Sequence, residues 1–373
     1  MIDRIESAMI NVTRTYLPDR IKLDKYIDKI YSSAWVTNNG QLVQELTRRL
    51  EEFLNVQNLL LVSNGTLALQ VAYRVLGIKR QVITTPFSFV ATTSTLVWEK
   101  LEPVFVDIDP ETFCIDPSRI EGSITPETTA IVPVHVFGNA CDVEKIERIA
   151  QKHGLKTIYD GAHAFGVRYK GESLLSYGDA ATLSFHATKL FHTIEGGAIV
   201  FKRKKDLEKA RLMVNFGIDG PDSVVELGIN AKMNEFQAAM GLCVLDEIET
   251  IFEQRCELWS YYQDSLKDHV RFQKRNCQCT NNYSYFPVLF ENEKKLIEVK
   301  KALTAVDINP RRYFYPSLDT LGYLQPQFMQ AVSRDIASRI LCLPIYPGLS
   351  TDEIRKIITI LICVQNYALA RSS

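Results

Sequence analysis

The sequence predicts an α/β protein whose central sheet is mixed, mostly parallel and covered by helices on both faces. Helical and strand patterns alternate from residue 42 to about residue 250. The strand patterns in this region are short, uninterrupted apolar runs, which are typical of strands buried on both faces. In such sheets the working residues gather at the carboxyl ends of the strands.

The elements follow in order along this region. Residues 42–53 carry apolar side chains at spacings of three and four, which predicts a helix. A second helix follows Asn64-Gly65, and a third begins after Asp142, a suitable N-cap, and ends at Gly154. Residues Met233–Ile251 predict one long helix. Strands are predicted at Leu59–Val62, Gln81–Thr84, Pro103–Val106, Ala130–Val136 and Lys156–Tyr159.

Two domains are predicted for a chain of 373 residues, which is long enough to bury two cores. Residues 1–250 form the large domain, and within it residues 1–41 form an N-terminal loop region, since Trp35–Gly40 has no regular period. Residues 251–373 form a smaller C-terminal α/β domain, because the pattern after residue 252 is more mixed and has short strands around Tyr285–Leu289.

Composition excludes several classes of function. A net charge of −1 argues against a nucleic-acid footprint and against electrostatic attachment to a membrane. The start of the chain lacks the pattern of a signal peptide, and no apolar run is long enough to span a bilayer. Eight cysteines without paired spacings are expected to be reduced thiols in the cytoplasm. Cys277-Gln-Cys279 has no matching second pair, so we expect a loop there and no metal site.

Lys189 is the residue that points most directly to chemistry. It follows an apolar strand and precedes a Glu195-Gly-Gly turn, and burial would lower the pKa of its amine and leave it nucleophilic. Asp160 ends another apolar strand. A buried lysine and a strand-end carboxylate are what a pyridoxal phosphate site requires: the lysine holds the aldehyde, and the carboxylate keeps the pyridine nitrogen protonated. Taken singly, each could be an ordinary surface lysine or strand-end aspartate.

Further segments could complete such a site. Asn64-Gly65-Thr66 lies between a strand and a helix, where backbone N–H groups bind phosphate, although the same residues also form routine turns. Ser184 can supply a hydroxyl to the same phosphate. Phe89, chosen over Phe87, could stack on a flat ring or could be a core residue. His163 could contact the cofactor ring or could be a satisfied interior histidine.

These parts occur in the order found in a type I pyridoxal phosphate fold, and the chain closely resembles the sugar-nucleotide aminotransferases of the DegT/DnrJ/EryC1/StrS family. The resemblance runs from about Trp35 to Leu245, with a looser continuation to Pro316. It is carried by Trp35–Gly40, Asn64–Leu69, Pro103–Asp109, Pro133–Gly138, Asp160–His163, Ser184–Lys189, Glu195–Gly197 and Gly228–Asn230.

The resemblance implies a role for individual residues. Lys189 would be the lysine bonded to the cofactor aldehyde, and Asp160 would be the partner of the pyridine nitrogen. The implied cofactor-binding residues are Gly65, Thr66, Phe89, Asp160, His163, Ser184, Lys189 and Asn230. Asn230 would reach the cofactor of a neighbouring subunit, so the expected assembly is a homodimer with shared active sites. The implied substrate-binding residues are Thr37, Asn38, His186, Lys232 and Tyr313.

Two positions depart from the family pattern. Lys232 stands where many relatives have an arginine near the nucleotide phosphates, so it keeps the charge but loses bidentate geometry. Gly161 and His163 replace the commoner alanine and glutamine, and His163 keeps the ability to form hydrogen bonds.

The reaction implied by the resemblance is amino transfer to a keto sugar carried on a nucleoside diphosphate. L-glutamate would be the donor, with pyridoxamine phosphate formed between the two half-reactions. The segments Trp35–Gly40 and Arg311–Pro316 are most similar to the branch that aminates C-4 of dTDP-4-keto-6-deoxy-D-glucose. The product, dTDP-4-amino-4,6-dideoxy-D-glucose, would supply surface polysaccharide such as the O-antigen of lipopolysaccharide.

Three alternatives remain at this stage. A C-3 aminotransferase of the same family would act on a dTDP-3-keto-6-deoxyhexose, and no physical feature of the sequence separates it from a C-4 enzyme. Family members that perform dehydration lack the lysine, and Lys189 is present. A non-catalytic regulatory member would keep the fold and lose Lys189 or Asp160, and both are present.

Overall fold

The structure is a computed structural model that describes residues 9–325 and 327–372, with side chains as far as residue 365. The first eight residues of the predicted N-terminal region lie outside these ranges. The described strands are β1 (Ile10–Asn11), β2 (Leu59–Val62), β3 (Gln81–Thr84), β4 (Glu102–Phe105), β5 (Thr128–Val132), β6 (Lys156–Asp160), β7 (Arg168–Tyr169), β8 (Glu172–Ser173), β9 (Ala180–Ser184), β10 (Gly197–Phe201), β11 (Arg271–Phe272), β12 (Phe286–Leu289), β13 (Ile308–Asn309) and β14 (Ile340–Leu343).

The α-helices of the described ranges cover the sheets on both sides. They are α1 (Arg20–Ser33), α2 (Gln41–Leu54), α3 (Gly65–Leu76), α4 (Val90–Trp98), α5 (Val143–His153), α6 (Lys204–Met213), α7 (Glu235–Asp246), α8 (Ile248–Leu266), α9 (Glu293–Thr304), α10 (Ala331–Arg339) and α11 (Thr351–Ser372). None of these helices is both long enough and apolar enough to cross a lipid bilayer.

The main sheet has seven strands in the order β2-β10-β9-β6-β5-β3-β4. Strand β10 runs antiparallel to both of its neighbours, β2 and β9. The other neighbouring pairs are parallel. The predicted mostly parallel mixed sheet is therefore confirmed, and the parallel strands bring their carboxyl ends to one edge.

Both faces of the main sheet are buried. Along β3, Val82 belongs to one apolar core and the next residue, Ile83, belongs to the other. The first core packs β3 and its neighbours against α3 and α6, and the second packs them against α2, α5 and α7. Successive side chains of a strand point to opposite faces, so continuous apolar runs are required here.

A second, smaller sheet has the order β11-β12-β14 and is antiparallel. It packs with α8, α9 and α11 around a third core that contains Tyr262, Phe286 and Leu341. A smaller C-terminal α/β unit is thus present, while the exact division after residue 250 stays a prediction.

Two sequence-based expectations differ from the structure. The N-terminal region that was predicted to be a loop contains the helix α1. Ile30 is the one buried residue of this helix, so the sequence lacks the regularly spaced apolar positions that would predict it. The predicted helix Met233–Ile251 is two helices, α7 and α8, because Glu247 between them has a φ of −115°. Apolar residues on both sides of Glu247 conceal the break in the sequence.

Candidate active site

A cavity of about 360 Å³ lies at the carboxyl ends of β6 and β9. Nine residues predicted from the sequence line it: Gly65, Thr66, Phe89, Asp160, His163, Ser184, His186, Lys189 and Tyr313. Strand ends, helix starts and turns supply these residues, as expected for a sheet whose parallel strands end at one edge. The sequence motifs therefore meet in one place.

Lys189 lies in the turn after β9, where its backbone N–H donates to the His186 carbonyl over 2.8 Å. Its Nζ donates to the Tyr285 hydroxyl over 3.1 Å. Burial of the amine in the cavity wall lowers the pKa of Lys189 to about 8, while the nearby Tyr313 and Asp160 act in the opposite direction. A lysine with this pKa holds a useful fraction of neutral, nucleophilic amine near neutral pH.

Asp160 ends β6 and is buried. Its Oδ2 accepts from the Thr92 hydroxyl over 2.7 Å, and its Oδ1 accepts from the Ala162 N–H over 3.1 Å. Thr92 in turn lies 2.6 Å from the Ser88 hydroxyl. Burial raises the pKa of Asp160, and the hydrogen bonds from Thr92 and Ala162 oppose that rise. These two hydrogen bonds fix the orientation of the Asp160 carboxylate, which can still accept a further hydrogen bond.

His163 lines the cavity as a neutral ring. The Phe137 N–H donates to its Nδ1 over 3.2 Å, which leaves the proton on Nε2. The ring is stacked with Phe314 at 5.6 Å and lies 4.4 Å from the Tyr285 ring, centroid to centroid. Burial lowers the pKa of His163 well below its usual range. His163 is thus a buried histidine whose Nδ1 is bonded within the protein, and it is also part of the cavity wall.

The other end of the cavity is the amino terminus of α3. The Asn64 side chain caps this helix by accepting from the Leu67 N–H over 2.8 Å. A Cβ atom on Gly65 would come within 2.9 Å of the Ser184 Cβ, and one on Gly197 within 2.7 Å of the Asn64 carbonyl carbon. Only glycine permits this close packing, which brings the amino terminus of α3 and the Thr66 and Ser184 side chains to one wall of the cavity, a location suited to an anion.

The two candidate aromatic residues have different surroundings. Phe89 precedes α4, lines the cavity and is 52% exposed. Phe87 is fully buried and packs edge-on against Phe314 with ring centroids 5.6 Å apart. The position of Phe89 is consistent with stacking on a bound ring, and that of Phe87 is not.

Four predicted residues do not line this cavity: Thr37, Asn38, Asn230 and Lys232. The first three are exposed. The Lys232 Nζ donates to the Asn215 Oδ1 over 2.8 Å and lies 5.1 Å from the centre of the Phe216 ring. That Asn230 acts in the site of a neighbouring subunit, and that Thr37, Asn38 and Lys232 bind substrate, stay predictions.

Five residues that line the cavity or bond to a residue that lines it were not predicted from the sequence: Ser88, Thr92, Tyr285, Arg311 and Phe314. Tyr285 precedes β12 of the small sheet, and Thr92 lies in the first turn of α4. Only Arg311 and Phe314 fell in a segment that the resemblance had singled out, and neither was assigned a role.

The residues present fit pyridoxal phosphate. Gly65, Thr66 and Ser184 form a tight cradle for a phosphate at the amino terminus of α3. Asp160 is a buried carboxylate with spare acceptor capacity, and Lys189 has an amine of lowered pKa in the same cavity. Fold and site together define a pyridoxal-phosphate-dependent aminotransferase.

The chain belongs to the DegT/DnrJ/EryC1/StrS aminotransferase family, whose sequence profile matches residues 19–362. It is 45% identical to a dTDP-4-amino-4,6-dideoxy-D-glucose transaminase of Shigella dysenteriae over 94% of this chain and 97% of that protein. It is 39% identical to a transaminase of the same description from Escherichia coli, over 95% and 98% of the two chains. The crystal structure of DesI in the presence of its TDP-sugar product has a TM-score of 0.91 at 32% identity, covering 98% of this chain and 95% of DesI.

Proposed function

We propose that this protein moves an amino group from L-glutamate to C-4 of dTDP-4-keto-6-deoxy-D-glucose and so forms dTDP-4-amino-4,6-dideoxy-D-glucose. The observation that carries the proposal is the presence of Lys189 and Asp160 in one cavity of a chain that is 45% identical to a transaminase of that description. The dehydration and non-catalytic alternatives require the loss of a residue that this cavity retains.

Lys189 is the group that moves protons in the proposed reaction. When bound, pyridoxal phosphate supplies an aldehyde that takes up amino groups and a pyridine ring that accepts electrons. The Lys189 amine would hold that aldehyde in the resting protein and would be free once an amino donor takes its place. Once free, and with a pKa of about 8, the amine can accept a proton from one carbon and return it to another.

Asp160 supports this chemistry by holding the pyridine nitrogen as a cation. The Thr92 and Ala162 hydrogen bonds favour the ionised carboxylate against the cost of its burial. A buried charge pair of this kind contributes several kcal/mol to stabilising negative charge that develops beside the ring. Asp160 is therefore needed for the rate of the reaction, more than for uptake of the cofactor.

The remaining cavity residues hold the group in place. Gly65, Thr66 and Ser184 bind its phosphate at the amino terminus of α3. Phe89 would pack on one face of the ring, and the Nε2–H of His163 would be available to donate to a polar atom of the cofactor.

The proposed working unit is a homodimer in which Asn230 of the partner subunit completes each site. A patch of exposed apolar residues precedes Asn230 in the sequence and supports an interface there: Phe216, Val224, Val225, Leu227 and Ile229. Within this arrangement Thr37, Asn38 and Lys232 meet substrate in the partner's site, and His186 and Tyr313 meet it in their own.

Mixed dimers test the shared site. Lys189→Ala and Asn230→Ala homodimers should both be impaired, the first more severely. After the two variants are unfolded and refolded together, a mixed dimer contains one site with both native residues, so activity should reappear. If mixing restores nothing while the dimers exchange subunits, Asn230 serves its own chain.

We place the reaction in the cytoplasm, in the supply of amino sugar for surface polysaccharide such as O-antigen. The support is the similarity to two relatives described as dTDP-4-amino-4,6-dideoxy-D-glucose transaminases. Deletion of the gene should remove 4-amino-4,6-dideoxyglucose from the polysaccharide of the cell, and an unchanged polysaccharide would refute this placement.

One incubation tests the substrate. The protein, pyridoxal phosphate, L-glutamate and dTDP-4-keto-6-deoxy-D-glucose should yield a 4-amino sugar, identified by mass spectrometry and by proton NMR couplings of the sugar ring. Lys189→Ala is the control and should yield none. If glutamate changes the absorbance of the cofactor while the sugar stays untouched, the substrate is a different keto sugar, and the 3-keto isomer is the next to try.

A further inference from the structure

Glu235, the first residue of α7, is a buried acidic residue whose carboxylate caps a different helix. The residue is 2% exposed. Its Oε2 accepts from the Leu42 N–H over 2.8 Å, and its Oε1 accepts from the Val43 N–H over 3.1 Å. The carboxylate therefore lies at the amino terminus of α2, where free N–H groups and the helix dipole favour negative charge.

This cap of α2 comes from a distant part of the chain. Four other helices, α3, α5, α7 and α9, are each capped by the side chain of the residue just before them: Asn64, Asp142, Asn234 and Asn292. Gly40 precedes α2 and has no side chain, and the cap comes instead from Glu235, 193 residues beyond Leu42. A local cap stabilises only its own helix, whereas Glu235 also fixes where α2 begins relative to α7.

The loop between α1 and α2 is held at the same junction. The Glu235 N–H donates to the Val36 carbonyl over 3.0 Å. At the other end of the loop, a Cβ atom on Gly40 would come within 2.6 Å of the Glu235 Cδ. Between these two points Thr37 and Asn38 are exposed, and Asn38 has a φ of +59°. One residue thus holds both ends of a loop whose middle is free to meet a ligand.

We infer that Glu235 is a positioning residue for the nucleotide sugar, because it holds Thr37 and Asn38 in the conformation that binds this substrate. The inference rests on the proposed function, in which those two residues meet the substrate in the partner's site. Helix α7 also follows the segment that carries Asn230 and Lys232. Glu235 therefore ties together two segments that are proposed to serve the same site.

Glu235→Gln is the mildest change that weakens this junction. The side chain keeps its size, but its NH2 group cannot accept a hydrogen bond, so the Leu42 or the Val43 N–H loses its acceptor. A buried N–H without a partner is costly, so the loop should leave its native conformation more often. The apparent affinity for a ligand falls with the fraction of protein in the binding conformation.

The two half-reactions are measured separately. Glutamate is titrated into cofactor-loaded protein while the cofactor absorbance is followed, and the KM for the keto sugar is measured at saturating glutamate. In Glu235→Gln the KM for the sugar should rise about tenfold while the half-saturating glutamate concentration changes by less than about twofold. Glutamate is spared because Glu235 does not line the cavity around Lys189.

Gly40→Ala perturbs the same junction from the side of the loop. Its Cβ would press on the Glu235 carboxylate and on the Trp35 ring, so this variant should raise the KM for the sugar and spare glutamate as well. Amide hydrogen exchange, followed by mass spectrometry, should become faster at residues 36–43 in both variants.

Asp142→Ala is the matched control, since it removes a carboxylate that caps α5 instead of α2, and it should leave both values unchanged. Circular dichroism and size-exclusion chromatography check folding and assembly. The positioning role is overturned if both junction variants keep the native KM for the sugar, if glutamate is affected as strongly as the sugar, or if the variants separate into monomers. Failure of the proposed function looks different, because the native protein itself would then leave the keto sugar untouched.

Discussion

The Lys189 amine and the Tyr285 hydroxyl are joined by a hydrogen bond of 3.1 Å across 96 residues of sequence. Tyr285 also packs on His163, with ring centroids 4.4 Å apart. A residue just before β12, the middle strand of the small sheet, therefore fixes the position of the candidate catalytic lysine, which lies in the turn after β9 of the main sheet. The geometry of the active site therefore depends on how the small sheet is placed against the main sheet.

Tyr285→Phe should slow turnover by about tenfold, since one hydrogen bond to a charged group is lost and the released amine is no longer held in place. Cofactor uptake should be nearly unchanged, because the phosphate cradle is intact. Steady-state kinetics and cofactor absorbance measure the two effects. Tyr323→Phe, at an exposed tyrosine, is the control. A fully active Tyr285→Phe variant would remove the positioning role.

Lys189 should be labelled selectively in cofactor-free protein. With its pKa lowered to about 8 by burial, roughly one tenth of the amine is neutral at pH 7, against about one in 3,000 for an ordinary lysine. Reductive labelling with an aldehyde and borohydride, mapped by mass spectrometry, should rise with pH around a midpoint near 8. A midpoint above pH 10 would show that burial does not lower this pKa.

Thr92→Val should shift the acidic side of the pH–rate profile. The Thr92 hydroxyl holds the pKa of Asp160 down against burial, so its loss raises that pKa. Asp160 then takes up a proton at higher pH, and the acidic limb of kcat/KM moves to higher pH. Thr47→Val, which loses only a bond to a helix carbonyl, should leave the profile unchanged. An unshifted limb in Thr92→Val would mean that Asp160 does not set it.

Asp107 should be a stability residue, because its buried carboxylate accepts from the Val332 and Ser333 N–H groups over 2.9 and 2.8 Å. It thereby caps α10 from the end of β4. Asp107→Ala should lower the free energy of unfolding by about 2–3 kcal/mol in denaturant titrations. Asp142→Ala, at the exposed cap of α5, should cost about 1 kcal/mol. Equal losses in the two variants would contradict the stronger role of Asp107.

The sequence predicted the site residues that lie next to recognisable strand ends and turns. Asp160 and Ser184 end apolar strands, and Gly65 begins a helix. The residues immediately around each of them therefore predict where it lies in the fold. Parallel pairing then brings these positions to one edge without further information. The same reasoning explains why helix α5 was predicted with both of its caps.

The residues that were missed depend on long-range packing. Thr92 reaches Asp160 across 68 residues, and Tyr285 reaches Lys189 across 96. Neither has a local signal, since a threonine in a helix and a tyrosine before a strand are ordinary residues. Arg311 and Arg312 are adjacent and chemically alike, and only the structure shows that Arg312 pairs with Glu293 while the Arg311 guanidinium lies beside the Tyr313 ring.

The most direct test of the account is to trap the cofactor on the protein. Protein loaded with pyridoxal phosphate is reduced with borohydride, digested and analysed by peptide mass spectrometry. We expect one phosphopyridoxyl group per chain, on Lys189, and none on that peptide when excess L-glutamate is added before the reduction. A label on another lysine, or none on protein that has bound the cofactor, would contradict the assignment of Lys189 as the residue that performs the transfer.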